Sequence, residues 1–138
     1  NNNYFRQGNN SLEEFDISEA IVTQFMNFFQ EGTGWRRLHT IKLGKFAPFG
    51  PLTCYIAVEA FNNMPKLRDV YFYTPPGEYG NVDIQGNPFS GCNLNNVYYY
   101  DHIRDSRGNI ITESKVATWV ERYATALNCN LFKMTYNG

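Results

Sequence analysis

The sequence predicts an α+β fold in which a mainly antiparallel sheet packs against an N-terminal and a C-terminal amphipathic helix. Apolar residues recur at helical spacing near both ends of the chain, and short β-branched or aromatic runs separated by Gly, Pro and Asn lie between them. The length of 138 residues is typical of one domain. Because these runs follow one another without intervening helices, we expect antiparallel neighbours covered by helices on one face.

The first residues predict a leader and then a helix. Residues 1–10 are polar and lack periodicity, which favours a flexible leader, and residues 11–138 then form the single domain. Ser11 can cap a helix, with Glu14 completing a capping box and Gly32 near its end. Seven apolar residues fall on one half of this helix: Phe15, Ile21, Val22, Phe25, Met26, Phe28 and Phe29.

The remaining elements follow from alternation and turn residues. A Gly-, Pro- and Asn-rich loop over 77–96 contains a brief strand at Val82 and Ile84, and a turn at 105–108 joins two strands of a hairpin. Thr112 caps a second helix that stops at Asn128. Strands are expected over 35–43, 52–61, 69–74, 97–103, 109–112 and 131–136.

Composition limits the classes of function and partner. A net charge of -1 gives no general reason to bind nucleic acid, and no apolar run is long enough to span a membrane. Three cysteines without close spacing indicate reduced thiols in an intracellular protein, and they predict neither a zinc site nor a redox pair. We therefore expect no metal, no cofactor and no membrane partner.

The segment 35–49 is basic and aromatic. It carries Trp35, Arg36, Arg37, Lys42 and Lys45, and no acidic residue occurs between positions 32 and 58. Cations attract phosphates and exposed aromatic rings stack on bases, so this segment could form a nucleic-acid groove. The acidic residues of the first predicted helix leave two alternatives, a contact between protomers and a pair of solvated faces.

Asp101 and His102, followed by Asn109 and a helix, resemble the ββα-metal site of His-Asn-His nucleases. The resemblance covers about 30 residues and implies that the Asp-His pair supplies a metal ligand and a general base. The sequence departs from that site because the following helix, 114–127, offers no His, Asn or Asp as a further ligand. The alternative interpretation is an exposed hairpin whose histidine is hydrogen-bonded.

Two other features are candidates. Cys92, in the long loop, could act with a histidine as a hydrolase nucleophile, although a loop cysteine is more often structural. In the run of three tyrosines, Tyr98 and Tyr100 share one face of a strand and Tyr99 takes the other. One face is expected in the core, and the other presents phenol groups to a protein or sugar.

These observations favour a non-enzymatic protein-interaction or assembly module, such as a structural subunit of a virion or of another multi-protein particle. Tyr99 and the Arg36–Arg37 pair are the residues expected to contact a protein partner or a second copy. The alternatives are a nucleic-acid-binding domain that uses segment 35–49, and an enzyme, either a metal-dependent nuclease or a Cys-His hydrolase.

Overall fold

The computed structural model describes residues 9–23, 32–48 and 50–138, in which short strands dominate. A single α-helix, α1 (Lys115–Leu127), and a short 3-10 helix, Gly32–Gly34, lie among the described residues. The strands are β1 (Glu14–Asp16), β2 (Ile21–Val22), β3 (Thr40–Leu43), β4 (Lys45–Phe46), β5 (Cys54–Ile56), β6 (Asp69–Phe72), β7 (Val82–Ile84), β8 (Asn96–Tyr100), β9 (Ile103–Arg104), β10 (Ile110–Thr112) and β11 (Asn130–Met134).

The main sheet is entirely parallel, so the predicted antiparallel sheet is wrong. Its five strands run in the order β1-β3-β6-β8-β11, and every neighbouring pair is parallel. Two smaller pairs, β2 with β4 and β5 with β7, are also parallel. The hairpin β9–β10 is the antiparallel pair among the described residues. Each strand of the main sheet therefore returns to pair with the one before it in the same direction, as in the coils of a solenoid.

The predicted N-terminal helix is also wrong over residues 11–23, which contain β1 and β2; the continuation over 24–31 lies outside the described residues. The C-terminal helix is confirmed, although its N-cap is Ser114 rather than Thr112. Ser114 accepts a hydrogen bond from the Ala117 amide at 3.0 Å, and Asn128 ends the helix with φ of 49°. The hairpin and the strands expected at 69–74, 82–84, 97–103 and 131–136 are confirmed as strands.

A repeated sequence motif explains the parallel arrangement. The register places Glu14, Thr40, Asp69, Asn96 and Asn130 side by side, at steps of 26, 29, 27 and 34 residues. In the first four coils a Leu two residues earlier and apolar residues one and three later point to the core, giving a Leu-x-x-apolar-x-apolar motif. The motif and its first three steps resemble those of leucine-rich solenoids, whose period is about 20–29 residues, while the fourth step of 34 residues is longer. In such solenoids an Asn or Cys follows three residues after the last apolar position, and the four coils here have Ala20, Phe46, Pro75 and His102 in its place.

The core lies between the main sheet and the smaller strand pairs. Phe61 and Phe89, from consecutive coils, stack with ring centroids 5.0 Å apart, and backbone bonds join Phe61 N to Pro88 O and Asn63 N to Ser90 O. After β8 the connection contains the β9–β10 hairpin and α1. Trp119 of α1 packs on the core side and donates its indole N–H to the Gly86 carbonyl at 2.7 Å. We call the other side of the main sheet, which does not face this core, the open face.

One position requires glycine because the backbones of two coils approach closely there. A Cβ on Gly44, which follows β3, would collide with the Ser18 carbonyl of the preceding coil. The position admits only a residue without a side chain, because the colliding atoms belong to the backbone and cannot rotate away. No helix in the described part of the chain has the length and apolar character needed to cross a membrane.

Candidate functional site

The open face carries three rows of side chains that run across the strands. The first row is polar and the second becomes aromatic from β6 onward. The first row contains Glu14, Thr40, Asp69, Asn96 and Asn130, the second contains Asp16, Lys42, Tyr71, Tyr98 and Phe132, and the third contains Tyr73, Tyr100 and Met134. The parallel register thus turns a two-residue alternation within each strand into continuous rows.

The second row contains a stack of three rings. Tyr71 and Tyr98 lie 4.3 Å apart between centroids with planes 3° apart, and Tyr98 and Phe132 lie 4.9 Å apart with planes 17° apart. Because β8 lies between β6 and β11, Tyr98 has a neighbour on both of its faces. The rings therefore stand on edge, with their rims rather than their faces directed outward.

The third row extends this stack into an aromatic cluster. Tyr73 lies 5.7 Å from Tyr71 and 6.5 Å from Tyr100, and Tyr100 meets Tyr136 edge-to-face at 5.1 Å. We define the aromatic cluster as Tyr71, Tyr73, Tyr98, Tyr100, Phe132 and Tyr136. Its five tyrosines are half-buried and Phe132 is 44% exposed, so the cluster is reachable from solvent along one surface.

Hydrogen bonds fix the polar row beside the cluster. Asn130 donates from Nδ2 to Asn96 Oδ1 at 3.2 Å, and Asn96 donates from Nδ2 to Asp69 Oδ1 at 2.8 Å. This amide ladder holds the three side chains in line along the sheet. Partial burial, with a smaller contribution from the hydrogen bond with Tyr98, raises the pKa of Tyr71 above its ordinary value of 10.0. The phenol of Tyr71 is accordingly neutral at physiological pH.

Tyr99, the tyrosine predicted to contact a partner, does not lie on this surface. It is 8% exposed and belongs to the core, where burial raises the pKa of its phenol. The two-residue alternation placed Tyr98 and Tyr100 together on the opposite side, as the sequence indicated. The residues that sequence reasoning missed are Tyr71, Tyr73 and Phe132, which join these two only through the parallel register.

Two of the four Arg and Lys residues in the basic segment 35–49 contact acidic residues of the same chain. Arg37 contacts Glu13 at 3.4 Å and Lys42 contacts Glu14 at 2.8 Å, because β1 and β3 are neighbours. Lys45 lies 5.5 Å from the ring centroid of Tyr79. Two other members have contrasting environments: Trp35 is 2% exposed in the core, and Arg36 is exposed. The acidic and basic segments therefore meet within one molecule.

His102 and Asp101 are engaged in structural hydrogen bonds. The His102 side chain is 1% exposed; its Nδ1 accepts from the Ser114 amide at 2.9 Å, which leaves the proton on Nε2 facing Glu121 Oε1 at 3.3 Å. Asp101 accepts from Arg104 Nε at 3.1 Å and from the His102 amide at 2.7 Å. No cluster of three His, Cys, Asp or Glu side chains suited to a metal occurs within residues 9–23, 32–48 and 50–138. These residues join the end of β8 to the start of α1.

Cys92 occupies a core-lining position. Its thiol donates to the Phe61 carbonyl at 3.1 Å, and burial raises the pKa of the thiol above its ordinary value of 9.0. In the coil before it, the equivalent position three residues after the stacked phenylalanine is Met64. The two histidines bond elsewhere, His39 with Thr40 and Glu13, and His102 as described above. The structure does not bring Cys92 together with a histidine base, and a raised pKa opposes nucleophilic attack.

Comparisons with protein families, curated proteins and solved structures gave no match to this chain.

Proposed function

We propose that the chain is a protein-binding module and that the aromatic cluster on the open face is its contact surface. The observation that carries this proposal is the gathering of six aromatic side chains from β6, β8, β11 and their flanking residues on one solvent-reachable face. Tyrosine supplies a large contact area with few rotatable bonds, and aromatic residues dominate the energetic centres of protein interfaces. A subunit of a multi-protein particle would be one such module.

The orientation of the rings favours a protein partner over a sugar or a nucleic-acid base. Stacking of a base or sugar requires a free ring face. Both faces of Tyr98 are occupied by Tyr71 and Phe132, and Lys42 lies 5.5 Å from the Tyr71 centroid, which leaves the outer face of Phe132 as the free ring face of the stack. Ring edges and hydroxyl groups point outward, and these suit the mixed apolar and hydrogen-bonding contacts of a protein surface.

The charges around segment 35–49 also weigh against nucleic acid. Binding that releases counterions from phosphates requires cations that are free to contact them. Lys42 and Arg37 contact Glu14 and Glu13, and the side chain of Trp35 is too buried to stack on a base. We therefore place the proposed contact on the aromatic cluster rather than on the basic segment.

Panning a random peptide library displayed on phage against the purified chain tests the proposal. Affinities of selected peptides are then compared on wild type, Tyr98→Ala and Tyr79→Ala. Tyr79 is 42% exposed and lies outside the cluster, so its variant removes an equivalent aromatic group from another surface. We expect Tyr98→Ala to weaken binding at least about tenfold, which corresponds to about 1.4 kcal/mol, and Tyr79→Ala to leave it unchanged. The proposal would be contradicted if every selected peptide bound Tyr98→Ala as tightly as wild type.

A further inference from the structure

We propose that the partner of the open face presents a cationic segment, rich in Arg or Lys; this inference rests on the proposed function and specifies its ligand. The charged side chains in the three rows are the carboxylates of Glu14, Asp16 and Asp69 and the ammonium of Lys42. Lys42 is already bound to Glu14 at 2.8 Å. The face thus has an excess of negative charge beside its aromatic cluster.

Asp69 is the carboxylate best placed to contact a partner. It lies on β6, in line with the amide ladder and two residues before Tyr71. Its Oδ1 accepts from Asn96, while Oδ2 has no hydrogen-bond partner within the described part of the chain. The Asp69 side chain offers an arginine or lysine of a partner a carboxylate oxygen at the margin of the rings, and a charge-assisted hydrogen bond is stronger than a neutral one.

Three cations near these rows have partners within the chain. Arg68, next to Asp69, donates to the backbone carbonyls of Leu67 and Asn93. Arg37 contacts Glu13, and Arg104 is held by Asp101. Lys133 comes from the alternate position of β11, between the outward-pointing Phe132 and Met134. If two copies of the open face met, their carboxylates would face one another and repel. This repulsion disfavours face-to-face self-association and favours a basic partner.

The chain itself shows how a cation can sit at the end of the ring stack. The Lys42 ammonium lies 5.5 Å from the Tyr71 centroid at one end. Phe132 ends the stack on β11, the last strand of the main sheet, and is 44% exposed. A guanidinium or ammonium group at that ring would make an equivalent cation–π contact, with Asn130 two residues away to accept a hydrogen bond.

The test uses the peptides selected by panning and adds two variants. Asp69→Asn neutralises the carboxylate while keeping a similar shape, and Asp83→Asn neutralises an exposed carboxylate on β7, away from the open face. We expect Tyr98-dependent peptides to be enriched in Arg and Lys. Their affinity should fall at least about threefold in Asp69→Asn, remain unchanged in Asp83→Asn, and decrease as salt rises from about 0.05 M to about 0.5 M.

The outcomes separate this inference from the proposed function. Tyr98-dependent peptides that lack basic residues, or that bind Asp69→Asn as tightly as wild type, would overturn the cationic partner and leave the protein-binding surface standing. An absence of any Tyr98-dependent peptide would overturn both. Equal loss of affinity in Asp69→Asn and Asp83→Asn would also count against the inference, because it would indicate attraction by the whole molecule rather than by this face.

Discussion

The open face and the junction between β8 and α1 both contain residues that could carry function, but they differ in how far those residues are already engaged. At the junction, both ring nitrogens of His102 and both oxygens of Asp101 have partners in the chain. On the open face, the rims of the aromatic cluster and one oxygen of Asp69 remain accessible. Residue type suggested a catalytic site at the junction, whereas the structure shows hydrogen bonds that join the end of β8 to the start of α1.

The largest expected difference is between two phenylalanines, one in the core and one on the open face. Phe89 is 2% exposed and stacks on Phe61, so Phe89→Ala should lower the free energy of unfolding by about 3–5 kcal/mol. Phe132→Ala should lower the free energy of unfolding by less than about 1.5 kcal/mol, since its ring is 44% exposed. The same substitution should weaken the binding of the selected peptides. Urea denaturation of both variants gives the comparison. Equal destabilisation would show that Phe132 serves packing and would remove it from the proposed surface.

At the junction, we expect His102→Ala to be a stability variant. It leaves the Ser114 amide without its side-chain acceptor at the start of α1 and opens space around a 1% exposed ring, at a cost of about 2–4 kcal/mol. Thermal unfolding should show a lower midpoint for His102→Ala. Glu121→Gln, which changes an exposed partner of His102, should lower the midpoint only slightly. A His102→Ala protein as stable as wild type would mean that the histidine is not a structural connector.

Acid should affect the junction through its carboxylates. Burial raises the pKa of Asp101, but hydrogen bonds from Arg104 and the His102 amide outweigh it and hold the pKa below 3.8. A lowered folded-state pKa stabilises the protein above the unfolded pKa, and this contribution is lost as pH falls through the folded value. The unfolding midpoint should therefore change little above about pH 5 and fall below about pH 4, less steeply in Asp101→Asn. Identical acid profiles for wild type and Asp101→Asn would contradict this role.

The smallest effect concerns the cysteines. Burial raises the pKa of Cys54, Cys92 and Cys129 above 9.0, so little thiolate forms near neutral pH. Alkylation by iodoacetamide, followed by mass spectrometry, should be slow at pH 7.5 and accelerate only at more alkaline pH or on unfolding. Rapid, selective labelling of Cys92 in the folded protein would revive the possibility of a nucleophile.

Local signals were sufficient for the elements near the C-terminus. The apolar spacing of α1, the left-handed stop at Asn128 and the turn residues before β10 all act over a few positions, and these elements were predicted correctly. Strand direction was not, because it depends on how each coil closes on the previous one. The absence of predicted helices between most strands suggested antiparallel pairing. The crossovers from β3 to β6 and from β6 to β8 are instead made by connections of more than twenty residues that contain the short strands β4, β5 and β7.

The first element shows how a copy of the repeat can be mistaken for part of a helix. Leu12, Phe15 and Ile17 satisfy the Leu-x-x-apolar-x-apolar motif, yet the apolar residues that follow extend the pattern into one that also suits a helix. Ile41, Val70, Val97 and Leu131 then replace Phe15 in successive coils, and the steps vary from 26 to 34 residues. The first position of the motif keeps its leucine in four coils, at Leu12, Leu38, Leu67 and Leu94, but the unequal steps between these leucines obscure the period.

The candidate surface was predictable within one strand but not between strands. Alternation separated Tyr98 from Tyr99, but the stack with Tyr71 and Phe132 requires a register that joins residues about 30 positions apart. The same holds for the basic segment, whose partners Glu13 and Glu14 are adjacent only because β1 pairs with β3. Two of the charges that suggested a contact between molecules, those of Arg37 and Lys42, therefore have partners within the same chain.

The most direct test of the central claim is mapping of a selected peptide onto the isotope-labelled chain by NMR. We expect amide shifts to change over 69–73, 96–100 and 130–136, while the hairpin residues 103–112 and the helix residues 115–127 change little. Changes centred on His102, Ser114 and Glu121, with the three strand segments unaffected, would contradict the assignment of the open face as the binding surface.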